Sequence, residues 1–124
     1  MRLLLDTQVM LWCLFDGPRL CTHTREVLAA SPCLVWVASI WEVAIRHRLG
    51  NLSIILTEFR DQSLAAGAAL LPVLDAHVIE TAQLPLVHHV PFDRLLIAQA
   101  RVEDLMAVLS DGHWLGYDMS LHRV

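Results

Sequence analysis

Lysine is absent from this chain of 124 residues, in which all nine basic residues are arginine. The absence excludes a P-loop nucleotide site, because such a site needs its lysine to contact the phosphates. It also excludes catalysis through a lysine Schiff base or a lysine base. The formal net charge of −4 argues against a protein that binds nucleic acid nonspecifically through a basic surface.

Long apolar runs and paired cysteines are also absent. The longest apolar candidate, residues 64–74, is shorter than the roughly 18 residues that a membrane helix needs, and it contains Pro72. Cys13, Cys21 and Cys33 are odd in number and lack the paired spacing of a metal site. They favour free thiols in a reducing cytoplasm. The seven histidines include no His-Glu-x-x-His pattern, so no zinc site is expected.

Apolar residues are abundant instead, at 56% of the chain with a mean hydropathy of +0.50. This composition suits a parallel sheet covered on both faces, with an apolar surface left for a partner. Short apolar runs alternate with helical patterns, which predicts an α/β fold with a mainly parallel sheet. We expect one domain spanning residues 1–124. The predicted strands are residues 2–5, 33–37, 69–73 and 105–109, with an edge strand near residues 119–121.

Four carboxylates fall where strands end or where the following helices begin. Asp6 and Asp111 directly follow predicted strands, Glu42 lies in the first turn of a helix, and Asp93 begins a buried helix after Pro91. The carboxyl ends of parallel strands meet at one sheet edge, where such sheets bind ligands. We therefore expect the four acids to lie close together.

Each acid also has an ordinary structural explanation, and Glu42 has a second one in an ion pair with Arg46. Clustered carboxylates nevertheless repel one another unless a cation joins them. Mg²⁺ and Mn²⁺ prefer such oxygen ligands, and a pair of these ions can promote phosphodiester cleavage. The structural alternatives are an N-cap at Asp6, a capping box from Ser39 to Glu42, a helix-dipole charge at Asp93 and a turn at Asp111.

The residues around these acids resemble the PIN-domain family, and within it the VapC-type toxins of bacterial toxin–antitoxin pairs. The resemblance implies a three-layer α/β/α fold and an endoribonuclease that depends on Mg²⁺ or Mn²⁺. It also implies a homodimer and an antitoxin that blocks the active-site groove. The implied metal-binding and catalytic residues are Asp6, Glu42, Asp93 and Asp111. The segments that carry the resemblance are residues 3–7, residues 39–45, residues 91–100 and Ser110-Asp111.

Four residues depart from the pattern usual in such relatives, and none of them is one of the four acids. They are Gln8 in place of His, Val90 in place of Asp, Leu109 in place of Ser or Thr, and Asp118 in place of Gly.

Further residues near the acids are candidates for contacting RNA. Arg46 and Arg94 are placed to hold a phosphate, and Thr7 and Ser110 to hydrogen-bond carboxylates or substrate. Trp41 is expected in the core, on the buried face of its helix, rather than stacked on a base. The alternative function is a PIN-like module that binds RNA or a protein without cleaving.

Overall fold

The computed structural model describes residues 2–85 and 91–110 and the backbone of residues 121–123. The strands are β1 (Leu3–Leu5), β2 (Cys33–Trp36), β3 (Ala69–Leu71), β4 (Met106–Leu109) and β5 (Leu121–Arg123). The helices are α1 (Thr7–Phe15), α2 (Thr22–Ala30), α3 (Val37–Arg48), α4 (Leu56–Ala65), α5 (Asp75–Glu80) and α6 (Pro91–Glu103). Single turns of 3-10 helix cover Gly17–Arg19 and Thr81–Gln83.

The five strands form one sheet in the order β3-β2-β1-β4-β5, and all neighbours are parallel. This confirms the predicted α/β fold with a parallel central sheet. The sequence Leu3-Leu4-Leu5 is buried throughout because β1 is the central strand and is covered on both faces. None of the helices in the described ranges is long and apolar enough to cross a membrane.

Alternating side chains of β1 enter two separate apolar cores. Leu4 joins the cluster that includes Leu96 and Ile97 of α6. Leu3 and Leu5 join the opposite cluster with residues such as Val9 of α1. Because helices cover both faces of the sheet, the architecture has three layers, as predicted.

The strand order reverses at β1, which pairs with β2 on one side and with β4 on the other. The backbone N–H of Asp6 donates to the carbonyl of Val108 at 3.1 Å, so the ends of the two strands stay together. Residues that follow β1 and β4 therefore border the same crevice, at the switch point where open α/β sheets bind ligands.

Helix α6 begins at Pro91 with Asp93 in its first turn, as predicted. It ends at Glu103, and the next residue, Asp104, has a left-handed backbone with a φ of 52°. The N–H of Leu105 then donates to the carbonyl of Ala100 at 2.9 Å, which is the bond of a Schellman motif. This sharp end directs the chain straight into β4.

The capping box predicted at Ser39 is wrong. Helix α3 begins at Val37, directly after β2, and Trp36 occupies the N-cap position without a side-chain hydrogen bond. Ser39 is therefore the third residue of the helix and is fully buried. The helix starts early because no loop separates it from the strand.

The predicted buried face of α3 is also wrong. Trp41 is 62% exposed and Leu49 is 68% exposed. The face toward the sheet carries Ala38, Ser39 and Val43 instead. Small side chains at positions 38 and 39 let the first turn lie close to the sheet, which turns the larger residues outward.

Candidate functional site

Asp6 joins the two central strands through its side chain. Its Oδ2 accepts hydrogen bonds from the backbone N–H of Ser110 at 3.0 Å and from the Ser110 hydroxyl at 3.1 Å. Its Oδ1 accepts from the N–H of Val9 at 2.7 Å, so Asp6 is also the N-cap of α1. Asp6 therefore has both roles that the sequence allowed: it caps a helix, and it lies at the ligand-binding edge of the sheet.

Glu42 projects from α3 beside a buried pair of hydroxyls. The Oγ1 of Thr7 and the Oγ of Ser39 lie 2.9 Å apart and share a hydrogen bond. The Thr7 side chain also lowers the pKa of Glu42 by favouring its charged form. Thr7 follows directly after Asp6, so the start of α1 helps to position carboxylates from two different elements.

One cleft of about 130 Å³ collects these side chains. Asp6, Glu42 and Asp93 line it, from the end of β1 and from α3 and α6. The structure thus brings three of the four predicted acids together. The other lining residues are Thr7, Gln8, Trp36, Leu96 and Ser110.

The electrostatics of the cleft disfavour ionised carboxylates in the absence of a cation. Burial raises the pKa of Asp6, and repulsion from Asp93 adds to it, although hydrogen bonds from Val9 and Ser110 act in the opposite direction. Burial also raises the pKa of Glu42, with added repulsion from Asp93 and Asp6, while Arg46 and Thr7 lower it. These carboxylates therefore share one weakly solvated site.

The donor set has the chemistry of a site for a hard divalent cation. Its ligand atoms are carboxylate and hydroxyl oxygens, which suit Mg²⁺ and Mn²⁺ better than softer metals. In the part of the chain that the structure describes, no three His, Cys, Asp or Glu side chains form a group arranged to hold a metal ion. Asp111, the fourth predicted ligand, lies outside the described residues, as do Val90 and Asp118.

Arg94 has a structural role that the sequence analysis missed. Its guanidinium donates to the backbone carbonyls of Thr81 at 2.7 Å, Leu84 at 3.2 Å and Pro85 at 3.0 Å. These bonds tie the start of α6 to the segment after α5. Phosphate binding by Arg94 and by Arg46 stays a prediction, and Arg46 interacts electrostatically with Glu42.

Trp36, which lines the cleft, and Ser39, which contacts a lining residue, were not predicted as site residues. Trp36 lines the cleft although it is only 1% exposed, and its Nε1 has no hydrogen-bond acceptor among the described residues. Ser39 supports Thr7 from α3. A tryptophan that ends a strand and a serine that opens a helix both have common structural roles, so neither gave a distinctive signal.

Comparisons with solved structures show which folds this arrangement resembles. VapBC2 from Rickettsia felis, bound to a DNA fragment from its promoter, matches with a TM-score of 0.74 at 11% identity, covering 99% of this chain and 98% of that chain. FitAcB from Neisseria gonorrhoeae matches with a TM-score of 0.69 at 19% identity, covering 96% and 95%. VapBC-5 from Mycobacterium tuberculosis, of the VapBC family of toxin–antitoxin systems, matches at 0.59 and 24%, covering 99% and 98%.

The sequence itself identifies the family. A comparison with curated proteins finds no match. The sequence model of the PIN domain, however, matches residues 3–117, which include Asp6, Glu42, Asp93 and Asp111. Because this match covers nearly the whole chain, the protein belongs to the PIN domain family.

Proposed function

We propose that this protein is an endoribonuclease that hydrolyses RNA phosphodiester bonds with the help of Mg²⁺ or Mn²⁺. The observation that carries the proposal is the convergence of Asp6, Glu42 and Asp93, from three separate elements, on one cleft at the switch point of the sheet. Membership of the PIN domain family supports the same reading. Asp111 completes the proposed set of catalytic and metal-binding residues.

The metal and the protein have separate tasks in this proposal. A bound Mg²⁺ or Mn²⁺ supplies an activated water at neutral pH and neutralises charge that develops on the phosphate. The protein holds the ligands: Ser110 and the N–H of Val9 fix Asp6, and Thr7 fixes Glu42. These contacts orient the carboxylates before the ion and the RNA arrive.

Substrate contacts are proposed at the rim of the same cleft. Arg46 lies one helical turn beyond Glu42 and offers a planar set of donors to a phosphate. Thr7 and Ser110 are positioning residues, because their hydroxyls bond other side chains of the site. Arg94 stays a candidate on the strength of its position beside Asp93.

We further propose that the protein is the toxin of a toxin–antitoxin pair. Its proposed partners are an antitoxin and a second copy of the chain. Its proposed location is a reducing cytoplasm. The solved structures it resembles include members of toxin–antitoxin systems. Leu49 directly after α3 and Val78 and Ile79 on α5 are exposed apolar side chains, and they form a surface that a protein partner would cover.

The decisive experiment is cleavage of a mixed RNA pool by the purified protein with Mn²⁺, with Mg²⁺ and with EDTA. Wild-type protein is expected to cut only when a divalent cation is present. Asp93→Asn is expected to lose at least about 100-fold in rate, since the amide removes a charge that the ion needs. The matched control is Asp104→Asn at the other end of the same helix, where an asparagine tolerates the left-handed backbone.

The outcomes separate nuclease from binding module. Wild-type activity in Asp93→Asn would refute the site assignment. A folded protein that binds RNA but cuts none under any of these conditions would favour the binding module instead. Ion binding has its own readout, because Mn²⁺ at 100 times its dissociation constant should stabilise wild-type protein by about 2.7 kcal/mol, and Asp93→Asn by much less.

A further inference from the structure

A second cavity lies beside the acidic cleft and has a different character. It has a volume of about 300 Å³ and is lined by Trp41, Pro91, Phe92 and Leu95. Among the residues that the structure describes, those lining it carry no charge. Its volume is at the lower end of the range for ligand pockets, which suits a group of about the size of a nucleobase.

The chain itself fixes the distance between cavity and cleft. Trp41 precedes Glu42 on α3, and Phe92 precedes Asp93 on α6. Each aromatic residue of the apolar pocket is thus adjacent in sequence to an acid of the cleft. A nucleotide next to a phosphate held at these acids would be within reach of the pocket.

Aromatic rings connect the two cavities. Phe92 packs edge-on against Trp41, with ring centroids 4.9 Å apart, and edge-on against Trp36 at 6.1 Å. Trp36 lines the acidic cleft. Yet Trp41 is 62% exposed, so much of its indole ring is not covered by the described residues.

The charge of the protein explains why such a pocket is needed. Three carboxylates line the cleft, and the chain carries 13 acidic residues against 9 arginines. RNA-binding proteins usually gain affinity from basic residues that neutralise phosphates, which this chain has in short supply. Attraction to the uncharged part of the substrate would add to the few phosphate contacts, and bases stack on aromatic side chains.

We infer that the pocket of Trp41, Pro91, Phe92 and Leu95 binds one unpaired nucleobase of the RNA, next to the phosphate that is cleaved. The inference rests on the proposed function. It specifies that the RNA substrate is single-stranded at the cleavage site, so that one base can leave the stack and enter the pocket. The only polar group on the lining side chains is the indole N–H of Trp41, so the pocket favours an unpaired base over a particular sequence.

The test measures binding to two probes in EDTA, where no cleavage is expected. One probe is a labelled oligoadenylate of six nucleotides, and the other is the same ribose-phosphate chain without bases. Wild-type protein is expected to bind the first more tightly. Trp41→Leu is expected to weaken that binding about tenfold to a hundredfold and to leave the second unchanged, since one base stack is worth about 1–3 kcal/mol.

Two matched variants test whether the aromatic ring itself is responsible for the binding. Trp41→Phe keeps an aromatic ring and is expected to retain most of the affinity. Leu64→Ala alters an exposed apolar residue of α4 that does not line the pocket, and it is expected to bind like wild type.

Equal affinity of wild type and Trp41→Leu for oligoadenylate would overturn the inference. So would an equal loss for both probes, or a loss accompanied by dissociation of an oligomer in sedimentation, which would assign the pocket to a protein partner. Failure of the proposed function looks different. In that case the wild type cuts no RNA with Mn²⁺ while Trp41-dependent binding of bases persists.

Discussion

The carboxylate of Asp6 accepts both the backbone N–H and the hydroxyl of Ser110, residues 104 positions apart in the chain. The two bonds join the ends of β1 and β4 at the crevice where the strand order reverses. The backbone bond depends only on the path of the chain. The hydroxyl bond depends on serine, and it can be removed alone.

Ser110→Ala should therefore weaken the site without disturbing the fold. The loss of one hydrogen bond to a carboxylate is expected to lower the free energy of unfolding by about 1 kcal/mol. Mn²⁺ affinity is expected to fall about tenfold, because residues that orient a metal ligand typically contribute that much. Titration calorimetry with Mn²⁺ measures the second effect. Ser53→Ala, at an exposed serine, is the control, and equal Mn²⁺ affinity in both variants would contradict the prediction.

The sequence could predict those features of the fold that depend on local pattern. Alternating apolar runs and helical segments identified a parallel sheet, and Pro91 identified the start of α6. The positions of Asp6 and Asp93 followed, because a residue at a strand end or in a first helical turn is located by its own neighbours in sequence.

Features that depend on packing could not be predicted. On α3, the face with Ala38 and Val43 and the face with Trp41 and Leu49 both have helical spacing, so periodicity alone does not choose between them. The contact of Ser39 with Thr7 spans 32 positions and has no local signal. The carbonyls that Arg94 contacts likewise depend on how the chain returns after α5.

The buried hydroxyl pair of Thr7 and Ser39 offers a test of coupling inside the site. Thr7→Val keeps the shape of the side chain but leaves the Ser39 hydroxyl buried without its partner. The free energy of unfolding should fall by about 1–3 kcal/mol. Adding Ser39→Ala should cost less than the sum of the single changes, since the unpaired group is then gone.

Urea denaturation of the four proteins in this cycle measures the coupling. Thr57→Val, at an exposed threonine, is the matched control and should change stability by less than about 0.5 kcal/mol. Additive effects of Thr7→Val and Ser39→Ala would show that the 2.9 Å contact does not contribute to stability.

The cysteines should differ sharply in reactivity. Burial raises the pKa of Cys13 to about 11, whereas the exposed Cys21 has its pKa lowered by hydrogen bonds from Thr24. The thiolate is the reactive form. At pH 8, iodoacetamide should therefore label Cys21 at least roughly 100-fold faster than Cys13.

Peptide mass spectrometry over time gives both labelling rates. Cys21→Ser should remove the fast phase and leave the slow one unchanged. Labelling of Cys13 as fast as that of Cys21 in folded protein would contradict the structure at this helix start.

Glu42 gives a prediction for the dependence of stability on pH. Burial, with repulsion from Asp93 and Asp6, raises its pKa in the folded protein above the ordinary value of 4.5. At pH values between the ordinary pKa and the raised pKa of the folded protein, the folded state binds more protons than the unfolded state. Stability due to Glu42 is therefore lost as pH rises through this window.

Glu42→Gln removes this titration and keeps a side chain that can still hydrogen-bond Thr7. In EDTA, the variant should gain stability relative to wild type as pH rises from about 4.5 toward 7. Urea denaturation across this range measures the difference, and Glu26→Gln, at an exposed glutamate, is the matched control. Saturating Mn²⁺ should reverse the order at pH 7, because only the wild type then offers the full carboxylate set. Curves for Glu42→Gln and wild type that stay parallel in EDTA would show that Glu42 is not held in a site that disfavours its charge.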